Sequence, residues 1–180
     1  MARCVYYVAM SADGFIAAPD GGVAWLDAYN ASELGYDAFV ATVGAVVLGR
    51  RTYEQMLGFG PWPYGDRPGL VVTSRPVSEL PPTVRSVGPA ELGAAVGALR
   101  RATPRDVWVV GGGKTARACL EAGLVDEVEL YVIPYLLGAG VPLLSPGSAL
   151  RGLRLVETRR FDNGIVRLLY ATGSQTVRQT

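Results

Sequence analysis

The sequence predicts an α/β fold in which strands alternate with helices and the chain closes on a hairpin. Three observations predict it. Residues 4–10, Cys-Val-Tyr-Tyr-Val-Ala-Met, form a β-prone run with little polar interruption, the pattern of a strand covered on both faces. Residues 44–55 and 106–123 each pass from an apolar strand through glycine into helical spacing. Residues 153–161 and 165–170 flank Asp162-Asn163-Gly164, a hairpin turn signal.

Composition narrows the class of function. A chain of 180 residues and 19.1 kDa with 49% hydrophobic content suits one domain with a substantial core. We expect that domain to span residues 1–173, with a frayed polar tail at 174–180. The net charge of +1 comes with no basic block, so no electrostatic footprint for nucleic acid or an anionic membrane surface is expected. A small-molecule substrate fits better. Histidine is absent, and Cys4 and Cys119 are isolated thiols without metal-ligand spacing. Imidazole acid–base chemistry and most zinc sites are thereby excluded and no metal is expected; a proton must come from a carboxyl group, tyrosine, lysine or water. The N-terminus lacks a basic segment followed by a long apolar core, and residues 130–144 are interrupted by Pro134, Gly138, Gly140 and Pro142. The expected location is cytoplasmic.

Along the chain, the first strand opens into residues 11–22, whose Asp-Gly and Pro-Asp-Gly steps are turn chemistry. Asn30 and Glu33 have capping-box spacing for a helix running to about Val43, with Leu34, Phe39 and Val43 on its inner side. Glu33 and Asp37, four apart, share one face of it and are candidate acids, although helical acids of this kind are more often solvated. Residues 46–48 form a strand, and Thr52 with Gln55 makes a second capping box. Gly49, Arg50 and Arg51 then stand beside a helix N-terminus, where the planar, always charged guanidinium suits phosphate. Residues 58–69 form an aromatic loop that walls a pocket or caps the core. A strand over residues 70–74 ends in hydroxyls, a short one covers 84–87, and Pro89 opens an alanine-rich helix to Arg101. In residues 125–134 Val128, Leu130 and Val132 alternate with Glu127, Glu129 and Tyr131, the pattern of a half-exposed strand.

The turn at Gly111-Gly112-Gly113 admits two readings. Three residues without side chains at a helix mouth let an anion approach unpaired N–H groups, where the helix dipole favours negative charge. The same glycines also suit a tight strand-to-helix turn with close packing. A P-loop is excluded because Trp108 stands where its first glycine belongs. Gly111-x-Gly113-x-x-Ala116 matches a dinucleotide fingerprint, but the strand-rich sequence that follows does not continue a Rossmann fold.

Three motifs in this order resemble the dihydrofolate reductase superfamily, and particularly the branch of the C-terminal reductase domain of the riboflavin-biosynthesis deaminase-reductase. They are Ser11-x-Asp13-Gly14-x-Ile16-Ala17, Val47-Leu48-Gly49-Arg50-x-Thr52-Tyr53-Glu54, and Val110 with the three glycines before a helix. The resemblance extends from about Arg3 to Ala171. It implies a three-layer αβα sandwich around a mixed, mostly parallel sheet with a C-terminal antiparallel hairpin. It implies NADPH as cofactor, with Arg50 on the 2′-phosphate and Thr52 on the pyrophosphate. Thr73, Ser74 and Arg75 would flank the adenine ribose, Arg75 adding a second charge. Gly49 and Gly111, Gly112 and Gly113, with Lys114 and Thr115 in the next helical turn, complete the cofactor-binding candidates. Ala9, Ile16 and Ala17 would line the nicotinamide slot under a loop shaped by Asp13. Asp37 looks like the acid that the riboflavin-type branch carries in this helix, and residues 25–37 depart from the Trp-x-Leu-Pro pattern of true dihydrofolate reductases.

The expected function is an NADPH-dependent reductase passing hydride to a pyrimidine, pterin or related heterocycle, with a 5-amino-6-(5-phosphoribosylamino)uracil reductase of riboflavin biosynthesis as its narrower form. Dihydrofolate reduction proper, or NADPH binding without catalysis, are the alternatives. A homodimer is expected from the resemblance and from the apolar edge around residues 128–144.

Overall fold

The computed structural model describes residues 2–29, 34–147 and 152–173. Its centre is an eight-stranded sheet in the order β5-β4-β3-β6-β1-β7-β10-β9. The strands are β1 (Cys4–Ser11), β3 (Val43–Gly49), β4 (Gly69–Val72), β5 (Val84–Val87), β6 (Asp106–Gly111), β7 (Glu127–Ile133), β9 (Arg154–Arg160) and β10 (Val166–Ala171). Six run parallel, from β5 across to β7. Then β10 turns antiparallel to β7 and β9 antiparallel to β10, as the Asn-Gly turn predicts. A separate pair joins β2 (Phe15–Ala17), inside the segment read as turns, to β8 (Val141–Pro142).

Alternate side chains of each strand feed two cores. On one face Cys4, Tyr6, Val47, Val107, Val109, Val128 and Leu130 meet Leu92, Val96 and Leu99 of α3 (Leu92–Ala102) and Ala116 and Cys119 of α4 (Gly113–Glu121). On the other, Val5, Tyr7, Val46, Leu48, Trp108, Tyr131 and Ile133 meet Tyr53 of α2 (Arg50–Gly58) and Phe39 of α1 (Tyr36–Thr42). The result is the three-layer sandwich expected. Aromatic rings weld the second core: Phe39 stacks on Tyr7 at 4.0 Å, and Trp108 meets Phe39 and Tyr64 edge-on at 5.2 and 5.6 Å. The aromatic loop thus caps the core with Tyr64 and, at 4.9 Å from it, Trp62.

Three local expectations need correction. The first helix is shorter than its pattern: α1 starts after Gly35, which takes φ 84°, and Val43 already belongs to β3. Its expected capping box, Asn30 with Glu33, lies outside the described residues. The box at Thr52 does not form, because α2 starts two residues earlier with Gly49 as its cap; Gln55 instead donates to the Gly21 carbonyl at 2.7 Å. Lastly, β7 is neither half-exposed nor an edge. It lies between β1 and β10, and Glu129 is buried because Arg167 Nε and the Tyr131 hydroxyl both donate to it, at 2.5 and 3.1 Å. A charged residue in an alternating strand reads as solvent-facing until its partner, here on β10, is known.

Candidate active site

The parallel strands all end on one edge of the sheet, where α/β folds bind ligands. That edge gathers Ala9, Ile16 and Ala17, residues 49–52, residues 73–75 and residues 111–115, which lie far apart in sequence. Because β3 and β6 are neighbours, their two strand-to-helix turns interlock. A Cβ on Gly49 would come within 2.6 Å of Thr115 Oγ1, and one on Gly112 within 3.5 Å of Thr52 Oγ1. The first turn therefore needs glycine where Thr115 leans against it, whereas at Gly112 the approach of Thr52 is ordinary contact.

The three glycines divide the two roles that sequence left open. Gly111 has φ 131°, which side-chain-bearing residues rarely adopt, and its peptide to Gly112 is cis. Gly113 is a packing glycine: a Cβ there would sit 2.6 Å from the Pro142 carbonyl oxygen, on β8. Gly112 is the open one, with only Thr52 Oγ1 within 4 Å of its Cβ position. It also caps α4, whose first backbone N–H groups have no intrahelical acceptor. The α2 N-terminus, capped by the backbone of Gly49, adjoins it.

Cations surround this pair of helix ends. Arg50 is half-buried and ion-paired with Glu54 at 2.8 Å, one turn along α2. Arg51, Arg75 and Lys114 are exposed, without a carboxylate partner among the described residues. Arg75 is presented by a local turn in which its backbone N–H donates to Thr73 Oγ1 at 3.0 Å. Thr52 is half-buried beside Gly112, whereas Thr115 is buried against Gly49. Arg117 clasps the segment after β8: it donates to the Ser145 carbonyl at 2.8 Å and pairs with Glu121 at 2.5 Å.

The loop after β1 is latched over the same edge. Ser11 is buried, donates to Asp13 at 2.6 Å and accepts from the Phe15 N–H. The Asp13 carboxylate also accepts the backbone N–H groups of Leu137 and Gly138, at 3.1 and 2.7 Å. These bonds hold its pKa below the ordinary carboxylate value, the serine hydroxyl contributing most. The β2–β8 pair and the Gln55–Gly21 bond complete the fastening. Sequence showed the turn residues, but not Gln55, since its acceptor lies 34 positions away.

Of the two candidate acids, Asp37 lies in the first turn of α1, exposed, and Glu33 lies outside the described residues. A groove of about 400 Å³ opens on the other flank of α1, against Tyr131, Arg159 and Arg167. Its acids are already engaged, Asp106 and Glu127 by Arg3 and Glu129 by Arg167, so it does not compete with the glycine turns for chemistry.

The residues at the glycine turns fit a phosphorylated dinucleotide on these grounds: two nine-residue helices end side by side, an open glycine lies between them, and cations stand around them. Comparison with known proteins identifies the family and the fold. The model of the RibD C-terminal domain matches residues 4–167. The uncharacterized protein YwjB of Bacillus subtilis is 33% identical over 165 residues, covering 91% of this chain and 94% of its own. The riboflavin biosynthesis protein RibD of Corynebacterium ammoniagenes is 26% identical over 149 residues, which are 76% of this chain and 44% of that protein. Among crystal structures, a protein of Shewanella sp. PV-4 named for riboflavin biosynthesis superposes with a TM-score of 0.82 at 27% identity, covering 97% of this chain and all of that one. Dihydrofolate reductase from Enterococcus faecalis, complexed with NADP(H), shares the fold with a TM-score of 0.65 at 20% identity, over 96% of this chain and 97% of its own. The chain belongs to the RibD C-terminal domain family, on a dihydrofolate reductase-like fold.

Proposed function

We propose that this protein is an NADPH-dependent reductase acting on a pyrimidine, pterin or related heterocycle, with the 5-amino-6-(5-phosphoribosylamino)uracil reductase reaction of riboflavin biosynthesis as its specific form. One observation carries the reading: the interlocked turns of β3 and β6 present two helix N-termini and an open glycine at the edge where the parallel strands end. When bound, the cofactor would supply the hydride.

The chain's own residues bind and orient. The N–H groups at the starts of α2 and α4 would donate to the pyrophosphate, with the Thr52 hydroxyl beside Gly112. Arg50 would hold the 2′-phosphate in exchange for Glu54, with Arg75 as a second charge and Lys114 at the mouth of α4. Thr73 and Ser74 would flank the ribose. Ala9, Ile16 and Ala17 would form a flat wall for the nicotinamide, and the latched loop would keep water from it. The proton would come from Asp37, Glu33 or water, since the chain has no histidine. The same reading carries a homodimer. Asp37's exposure favours one second reading, a protein of this fold that holds NADPH without proton-transfer machinery. The test is NADPH oxidation with the riboflavin-pathway pyrimidine and, separately, with dihydrofolate. Turnover of the pyrimidine is expected; NADPH binding without turnover of either compound would leave the binding-only reading.

A further inference from the structure

Among the described residues, α1 is the α-helix without a buried side chain, whereas α2, α3 and α4 each bury at least one. It is seven residues long, and its cap, Gly35, makes no side-chain hydrogen bond. A helix this short is marginal by itself, so its place must be set from outside. Phe39 supplies one apolar contact, stacked on Tyr7 at 4.0 Å. The first turn of the same helix carries Asp37. Whatever fixes α1 therefore fixes that carboxylate.

Two side chains from distant parts of the chain hold its ends. At the start, the buried Tyr131 hydroxyl donates to the carbonyl of Leu34, the residue before the cap, at 3.0 Å and across 97 positions. Its single proton is shared with Glu129 Oε1 at 3.1 Å, and Arg167 Nε fixes that carboxylate at 2.5 Å. The start of α1 is thus tied to a buried ion pair between β7 and β10. At the other end, Arg67 Nε donates to the Val43 carbonyl at 3.0 Å, and its Nη2 reaches that of Val40 at 3.5 Å. Unpaired carbonyls and the negative end of the helix dipole favour a cation there. Nη1 of the same guanidinium donates to the Tyr64 carbonyl at 3.2 Å, which fastens the aromatic loop to α1 as well.

We propose that Tyr131 and Arg67 are positioning residues of the reductase site: they clamp α1 at its two ends and so fix the place from which Asp37 meets the substrate. The inference rests on the reading in which Asp37 supplies the proton that accompanies the hydride. Neither residue acts on the substrate itself. Tyr131 is 4% exposed with its hydroxyl engaged by Leu34 and Glu129, and all three nitrogens of the Arg67 guanidinium face backbone carbonyls.

Steady-state NADPH oxidation with the riboflavin-pathway pyrimidine, on Tyr131→Phe and Arg67→Met alone and each combined with Asp37→Asn, tests the clamp. In the wild-type background each substitution should lower kcat roughly tenfold to a hundredfold, as misplacement of a catalytic group does, with KM for NADPH unchanged. Measured against the residual rate of Asp37→Asn, neither should add a further loss, because the group that they place is gone. A role in stability alone predicts the same loss in both backgrounds; that result, or an undiminished kcat in the single variants, would overturn the proposal. Hydrogen exchange over residues 34–43 keeps the clamp apart from the reductase reading. Each variant should exchange the α1 amides about fivefold to tenfold faster, with α2 and α4 unchanged. Faster exchange in a protein whose wild type turns over no substrate would sink the reductase reading while the clamp stands, and unchanged exchange would overturn the clamp.

Discussion

In the proposed function, Arg50 is the residue on which cofactor choice would turn. A charge-assisted hydrogen bond to a 2′-phosphate is worth about 1.5–3 kcal/mol, so Arg50→Ala should weaken NADPH roughly tenfold to a hundredfold while leaving NADH nearly unchanged. Calorimetric titration with both nucleotides checks it, and equal loss would remove Arg50 from the 2′-phosphate. Asp13 governs the latch. Its folded-state pKa is depressed, so its stabilising contribution is fully present above the unfolded value near 3.9 and is lost as pH falls through the folded value. Asp13→Asn should flatten that acid limb in urea midpoints measured against pH. The cysteines behave oppositely: burial pushes both thiols up to about 12. In the native protein at about pH 8 neither should react with a thiol reagent, whereas the unfolded chain should titrate two.

At the scale of elements, the turn into α4 and the β7–β10 pair are the points where one atom matters. Gly113→Ala places a methyl 2.6 Å from the Pro142 carbonyl, so β8 must shift; overpacking of this kind costs about 1–3 kcal/mol. Chemical denaturation should show that loss, and NADPH affinity should fall with it, because β8 anchors the loop that Asp13 latches. Arg167→Met would strand the buried Glu129 carboxylate and cost about 3–5 kcal/mol, while Glu129→Leu with Arg167→Met should recover most of it. Each element that sequence made legible rested on local chemistry: the glycine turns, the Asn-Gly hairpin and the β-prone run of β7 are all written within a dozen residues. The failures required distant partners. Glu129 looked exposed because Arg167 is 38 positions away, and Gln55 looked like a cap because Gly21 is 34 positions away.

Across the whole molecule, the sheet order converts those local turns into a site. Nothing local indicates that β3 and β6 are neighbours, yet only their adjacency puts Thr115 on Gly49 and Thr52 beside Gly112. The candidates at residues 49–52, 73–75 and 111–115 come together because they lie at or just after the ends of parallel strands, which must end together. The acid was less so: α1 is shorter than its pattern, and Asp37 ends up exposed in its first turn. Thermal unfolding of the purified protein with NADPH or NADH tests the central claim most directly. At a hundredfold excess over its dissociation constant a ligand adds about 2.7 kcal/mol, which for this size raises Tm by about 5–10 °C. NADPH should give that rise at concentrations where NADH gives little. No rise with either nucleotide at millimolar concentration would contradict the assignment of the paired glycine turns to a dinucleotide.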